Sequence, residues 1–296
     1  MLKRVIDISS QSYIHKRNSQ LIIEQKGEKV ASVPIEDLGF LILQNPAITL
    51  SLNLITACQN NNVIIVFCDE KHLPSSTLLP LFKGHSLHSK ILSQQILIKL
   101  PAKKRLWKEI VSHKINQQHR TLEKLGKKSA RLKKMSDEVK SGDPENIEAQ
   151  AAKLYWKELF EGKFKRNVNG DGVNALLNYG YSICRALFAR AIVAGGLHPT
   201  LGLHHHNQYN GLCLADDLME PCRPWVDFCV VNITNEGFSE VNTATKNKLL
   251  GLLSADVKYN KKTMPLMVAC QYFIARLKRI YEGEDVRLIY PVYPFT

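Results

Sequence analysis

GLHHHNQYNGLCLADDLMEPCRP, residues 202–224, is the stretch on which the reading of this chain turns. It places three consecutive histidines, two adjacent aspartates, a glutamate and an arginine close together, and no other stretch concentrates metal-ligating side chains in this way. Leu197-His198-Pro199 and Gly202 make a non-helical entry, and Leu212 to Met219 then has helical character until Pro221 and Pro224 kink or end it. Just upstream, Leu176, Leu177, Gly180, Ile183, Cys184, Leu187, Ala191 and Ala194 form a continuous stripe over Val173–Gly195, which predicts a central core helix stopped by Gly195-Gly196. The stretch is therefore a loop and short helix set inside a helical region.

Asp217 and Glu220 are three residues apart and share a helix face, whereas Asp216 is turned away by one helical step. Such a carboxylate pair beside an imidazole suits a hard divalent cation, Mg²⁺ or Mn²⁺, with the imidazole favouring Mn²⁺. His204, His205 and His206 cannot all face one ion, and the spacing fits no zinc signature. A further carboxylate lies upstream. The segment NIEAQAAKLYWKELF, 146–160, carries its stripe at Glu148, Ala151, Ala152, Tyr155 and Leu159, so Glu148 falls on the face that otherwise turns inward. It is either a functional carboxylate that must find a cation or an exposed first-turn residue. Asp143 and Pro144 predict the start of this helix, as N-cap and first helical residue.

Between His88 and this helix, helix formers dominate. Pro101 separates two helices, and the second has Trp107, Ile110, Val111 and Ile115 on one stripe. Residues 103–140 hold thirteen Lys or Arg against four acids, a net +9 of the chain's +13. A solvated face normally mixes both signs, so the run points to nucleic-acid phosphates. Its candidates are Lys103, Lys104, Arg105, Lys127, Lys128, Arg131, Lys133 and Lys134, and contacts of this type give affinity without base readout.

Residues 5–8, 20–24, 29–33 and 39–43 favour strands, 49–59 a helix, and 63–67 a fully apolar strand. This β-rich part shows no catalytic constellation; Asp69, Glu70 and His72 read as loop residues at a strand end. The seven cysteines form no C-x-x-C pair and most lie in apolar company, which predicts reduced thiols. MLKRVIDISSQSY has no long apolar region, and no run reaches the ~18 residues of a membrane span, so the expectation is a soluble, cytoplasmic protein. After the histidine stretch, Val226–Ile233 is an apolar run, Thr243–Leu253 and Met264–Ile280 are helices, and the tail from Glu282 is extended.

The motifs together resemble the CRISPR-associated integrase family, the universal spacer-acquisition proteins. The family helix E-(G/A)-x-A-A-x-x-Y-(F/W) is matched by Glu148 to Trp156. Its G-x-x-H is matched by Gly202-Leu203-His204-His205, and its (L/S)-x-x-D-(L/I)-M-E-x-x-R-P by Leu214 to Pro224. H-x-N-Q-(F/Y)-N, here His205 to Asn210, and M-E-P-x-R-P are closest to the subtype (type II) that accompanies a single large RNA-guided effector nuclease. Cys222 stands where an aromatic residue is usual.

The resemblance implies an α+β fold. A small β-rich dimerisation domain would span 1–75, a linker 76–86, and a larger all-α catalytic domain 87–296. It implies a metal triad of Glu148, His205 and Glu220, which are also the catalytic residues, with Asp217 in support and His204, His206 and Asp216 as bystanders. It implies a bacterial, cytoplasmic enzyme that inserts short duplex DNA into a CRISPR array by 3′-hydroxyl attack. The implied partners are double-stranded DNA (protospacer and repeat), a second copy, the small CRISPR-associated adaptation protein, the effector nuclease and an accessory adaptation protein. Two rival readings are a metal-dependent nuclease of branched or single-stranded DNA and a non-catalytic DNA-binding scaffold.

Overall fold

The computed structural model describes residues 4–70, 72–79, 87–161, 164–168 and 170–295. Its N-terminal part is built on two sheets. One has the order β1 (Arg4–Ile8), β5 (Leu38–Leu43), β7 (Ile64–Cys68) and β8 (Pro74–Leu78), parallel except for antiparallel β8. The other has the order β4 (Glu28–Pro34), β3 (Gln20–Gln25), β2 (Tyr13–Arg17) and the short β6 (Thr49–Leu50). Helix α1 (Leu52–Asn60) starts at Ser51, whose hydroxyl accepts from the Leu54 amide.

Strand β5 explains how this part attaches to the rest. Its sequence LGFLIL is buried throughout, and the two-residue period of a strand sends alternate side chains to opposite faces. Leu41 and Leu43, with Leu38 on the far side of a register shift at the start of the strand, join Ile14, Leu21, Leu54 and Ile65 in a core between the sheets and α1. Phe40 and Ile42, with Ile64 and Val66 of β7, face the other way and enter the core of the helical part. The first sheet is thus a shared wall between two cores. Polar contacts reinforce it: Lys246 donates to Gln44, which donates to Asp7, and Arg190 donates to the Asn62 carbonyl.

The helical part comprises α2 (His88–Leu97), α3 (Leu100–Lys124), α4 (Ala130–Glu138), α5 (Ile147–Leu159), α6 (Val173–Ala194), α7 (Cys213–Met219), α8 (Arg223–Asn235), α9 (Thr243–Ser254) and α10 (Leu266–Tyr281). Helix α6 is central, with α7, α8, α9 and α10 around it. Gly180 lets α8 approach closely, since a Cβ there would lie 2.4 Å from Val226 Cγ1. The cysteines are unpaired, and Cys58, Cys184, Cys213, Cys222 and Cys270 are buried. Among the described residues no helix is long and apolar enough to cross a membrane.

The α+β reading holds, with corrections. The helical part is not all-α: β9 (Asp256–Tyr259) and β10 (Lys262–Pro265) form a hairpin around Asn260 and Lys261, both at positive φ. Met264 therefore lies in a strand rather than at the start of a helix. β2 and β8 are strands that the sequence pattern did not reveal. β8 runs through position 75, and of the expected linker 80–86 lies outside the described residues. The α5 helix begins at Ile147, not at Pro144. Asn146, at φ 53°, is the N-cap, and Asp143 reaches in from three residues earlier to accept from the Ile147 and Glu148 amides at 2.8 and 3.0 Å. The tail docks on its own chain: Val292 pairs with Lys258, Tyr293 stacks on Trp225, and Phe295 is buried.

Candidate active site

Three elements converge below the histidine loop. Helix α3 brings Lys114, the first turn of α5 brings Glu148, and the 3-10 turn Glu220–Cys222 after α7 brings Glu220. The Lys114 ammonium lies 2.6 Å from Glu148 Oε1 and 2.6 Å from Glu220 Oε2. Two carboxylates more than 70 residues apart in sequence thus close on one cation position. Glu220 Oε2 is sealed from solvent and faces the Lys114 ammonium. Glu220 Oε1 accepts from Arg223 Nε at 2.7 Å. Burial alone would favour the neutral acid, but Arg223 and Lys114 together hold Glu220 ionised, with a pKa of about 2. Burial likewise opposes the charge on Lys114, and Glu220 and Glu148 overcome it, raising its pKa above the ordinary lysine value.

His205 sits at the rim, and Asp217 sets its orientation. Asp217 is fully buried on α7, and its carboxylate accepts four hydrogen bonds. Oδ2 takes the Leu203 and His204 amides at 2.6 and 3.0 Å; Oδ1 takes the His205 amide at 3.2 Å and His205 Nδ1 at 2.6 Å. Because a carboxylate only accepts, Nδ1 carries the proton and the neutral ring keeps its lone pair on Nε2. The bond to Asp217 raises the His205 pKa against the effect of burial, and the charges of Asp217, Glu220 and Glu148 add to the rise. Gly202 makes the turn possible: a Cβ there would lie 2.4 Å from the His205 carbonyl and 2.9 Å from Asp217 Oδ2.

The three histidines separate as neighbouring residues must. His204 stacks on Trp107 of α3 with ring centroids 4.2 Å apart, and Trp107 meets His205 edge-on. His206 is exposed. Asp216, expected to be a bystander, anchors the far end of the loop. Arg185 grips it with Nε and Nη2 at 2.7 and 2.9 Å, and Asn210 donates to it at 2.7 Å. Buried Gln95 of α2 anchors the near end through the His198 amide and the His198 and Leu201 carbonyls.

Behind the carboxylates, Arg223 lies 4.7 Å over the Tyr181 ring. Tyr181 and Tyr155 both donate to buried Asp227. Burial raises the Asp227 pKa to about 7, against the lowering effect of the two hydroxyls and Arg223. Since Tyr155 belongs to α5, this chain of contacts ties the helix of Glu148 to the turn of Glu220.

Sequence reasoning missed Lys114, Gln95, Trp107 and Asp227. Lys114 was counted in the basic run, yet its signal was available: it falls on the inward stripe of α3 with Trp107, Val111 and Gln118. Of the expected DNA-contact residues, Lys104, Arg105, Lys128, Arg131, Lys133 and Lys134 are exposed and Lys103 and Lys127 half-buried. Lys127 is engaged with Glu161 and the Leu159 carbonyl, and Arg131 with Glu138.

As placed, no three His, Cys, Asp or Glu side chains among the described residues stand close enough to hold a metal ion. The donor set nevertheless fits one. Two carboxylates and an imidazole match the preference of Mg²⁺ or Mn²⁺, and Glu220 Oε2 is a buried oxygen that already faces a cation, the Lys114 ammonium. The condition is that Lys114 moves off the shared position.

A family model described as CRISPR associated protein Cas1 matches residues 6–260. The CRISPR-associated endonuclease Cas1 of Neisseria meningitidis serogroup C (strain 8013) is 35% identical over 279 residues, covering 93% of this chain and 91% of that protein. Among solved structures, a casposase bound to integration product has a TM-score of 0.79 at 20% identity, covering 97% of this chain and 92% of its own. A Cas6-RT-Cas1–Cas2 complex has a TM-score of 0.73 at 17% identity, covering 95% of this chain and 35% of its own. The two structural likenesses establish the fold, and the match of the family model to most of the sequence establishes the lineage: this chain belongs to the Cas1 family.

Proposed function

We propose that this chain is a metal-dependent DNA endonuclease–integrase of CRISPR adaptation, which joins a 3′-hydroxyl of a short duplex to a phosphodiester at the edge of a repeat. The observation that carries the reading is the convergence of Glu148 and Glu220, from separate elements, on one cation position beside His205. The names of the relatives support it: a CRISPR-associated endonuclease, and a casposase captured with its integration product.

In this reading Glu148, His205 and Glu220 hold Mg²⁺ or Mn²⁺. The ion, when bound, supplies charge stabilisation at the phosphoryl and leaving oxygens. Arg223 keeps Glu220 ionised and aimed, and Asp217 fixes the His205 tautomer so that Nε2 presents its lone pair. Asp216–Arg185 and Gln95 hold the two ends of the loop, so that the imidazole is positioned before substrate arrives. The exposed lysines and arginines of α3, α4 and the turn between them bind the duplex backbone.

The partners follow from the same reading: double-stranded DNA, a second copy of the chain, and the small adaptation protein seen as Cas2 in the solved complex. The effector nuclease, an accessory adaptation protein and a bacterial cytoplasmic location complete it.

The test incubates the protein and its small partner with a short duplex and a supercoiled repeat plasmid, in Mn²⁺ or in EDTA. Joined half-site product that disappears with EDTA, Glu148→Ala or Glu220→Ala is expected. Scission without joining would replace the reading with a nuclease. DNA binding with no metal-dependent product from folded protein would reduce the chain to a scaffold.

A further inference from the structure

Lys114 stands where an ion shared by Glu148 and Glu220 would have to stand. Its ammonium is 2.6 Å from an oxygen of each carboxylate, and its side chain is only 12% exposed. Glu220 already has Arg223 on its other oxygen, so Lys114 is a second cation for that group; for Glu148 it is the ion-pair partner. A divalent ion and an ammonium cannot occupy the same two oxygens, because two cations that close repel and each oxygen's inward lone pair is already used. Loading therefore requires the lysine to leave. A lysine can do this by rotating its flexible stem, with no movement of the α3 backbone, whereas a bidentate guanidinium could not leave so readily.

We propose that Lys114 is a resident cation that competes with the divalent metal for Glu148 and Glu220. It holds the carboxylate pair together in the metal-free protein and weakens metal binding in the resting state. Without it, two carboxylates would face each other across a partly buried gap. With it, the pair is assembled and neutralised before metal arrives, and an ion is retained only where it outbids the ammonium. This inference rests on the assignment of Glu148 and Glu220 as metal ligands.

Two measurements test it. The first is Mn²⁺ affinity, read from the free-ion electron paramagnetic resonance signal, for the full-length wild type, Lys114→Met and Glu220→Gln. Lys114→Met should bind roughly tenfold to a hundredfold more tightly than wild type, the effect of removing one competing charge-assisted contact. Glu220→Gln should lose the site. The second needs no variant: labelling of wild-type lysines with an amine-acylating reagent, read by mass spectrometry. Lys114 should be protected in EDTA and labelled in saturating Mn²⁺. Equal affinity in wild type and Lys114→Met, with binding abolished by Glu220→Gln, would overturn the role of Lys114 and leave the metal ligands standing. Binding absent from all three proteins, or indifferent to Glu220→Gln, would overturn the ligand assignment itself. If Lys114→Met does not fold, labelling decides: no change at Lys114 on adding Mn²⁺ refutes the competition.

Discussion

Replacing Asp217 by asparagine should release the histidine loop while leaving the rest of the fold in place. The carboxylate accepts two bonds on each oxygen: the Leu203 and His204 amides on Oδ2, and the His205 amide and ring on Oδ1. An amide has one oxygen, so its NH₂ faces either the Leu203 and His204 amides or the His205 amide and ring, and only in the second case can a partner adapt, by the ring changing tautomer so that Nδ1 accepts. In that orientation the His205 N–H loses its acceptor, and the bonds that remain lose their charge assistance; a charge-assisted bond is worth about 1.5–3 kcal/mol. Leu203 is buried whereas His204 and His205 are exposed, so the amide should keep its oxygen on the Leu203 side and turn its NH₂ to His205, whose released N–H can reach water, at a cost of about 3 kcal/mol. It should appear as local opening, because Gln95 and the Arg185–Asp216 pair still hold the loop ends. Hydrogen exchange of the Leu203, His204 and His205 amides should accelerate about a hundredfold, since each tenfold is about 1.4 kcal/mol. Joining activity should fall by a similar factor as His205 loses its fixed ring, with little change in the urea midpoint. Unchanged protection of those three amides in Asp217→Asn would refute the assignment of Asp217 as the anchor of the loop.

Asp227 gives the chain a pH-dependent stability of unusual sign. Its folded pKa of about 7 lies well above the ordinary aspartate range, so folding takes up a proton; stability is fully present below the unfolded value and is lost as pH rises through the folded one. Between pH 5 and 8 the wild type should lose about 3 kcal/mol relative to Asp227→Asn in urea titrations, and parallel pH profiles would exclude a titrating Asp227. Gly180→Ala should cost about 1–3 kcal/mol, because its Cβ would meet Val226 Cγ1; Val226→Ala should recover part of that in the double variant, and additive losses would contradict the close α6–α8 approach. Replacing Lys128, Lys133 and Lys134 by glutamine should reduce the salt dependence of duplex binding by about one in log–log slope per contact removed, measured by anisotropy across a salt series; an unchanged slope would move the DNA to another face.

What the sequence made legible follows from how locally each feature is encoded. The helical stripes of α3, α6, α9 and α10 could be read because each repeats along its own segment and faces one core. Strands β5 and β7 could be read as strands, yet not as a wall between two cores, since an all-apolar strand does not say what lies on its second face. β2, with YIHKR, and β8, with PSSTL, lack an apolar alternation and acquire their structure from neighbours supplied by the rest of the sheet. The β9–β10 hairpin hangs on two non-glycine residues at positive φ, for which DVKYNKKTMP carries only the asparagine as a signal.

The candidate site divides along the same line. Glu148 was legible because a carboxylate interrupts an otherwise inward stripe, and a buried charge demands a partner. The same reasoning applies to Lys114 on the stripe of α3, but there the interrupting charge was hidden among twelve other basic residues between 103 and 140. A run of like charge should therefore be divided by helix face before it is assigned to a polyanion. The cations on the outer faces remain available to phosphates; the one on the inner face belongs to whatever acid the fold brings to it. Here the two inward charges, of opposite sign and on helices that pack together, meet each other, and Glu220 closes on the same ammonium. The acids alone suggest a metal site awaiting its ion. The acids together with Lys114 describe a site that already holds a cation, and whose loading is an exchange.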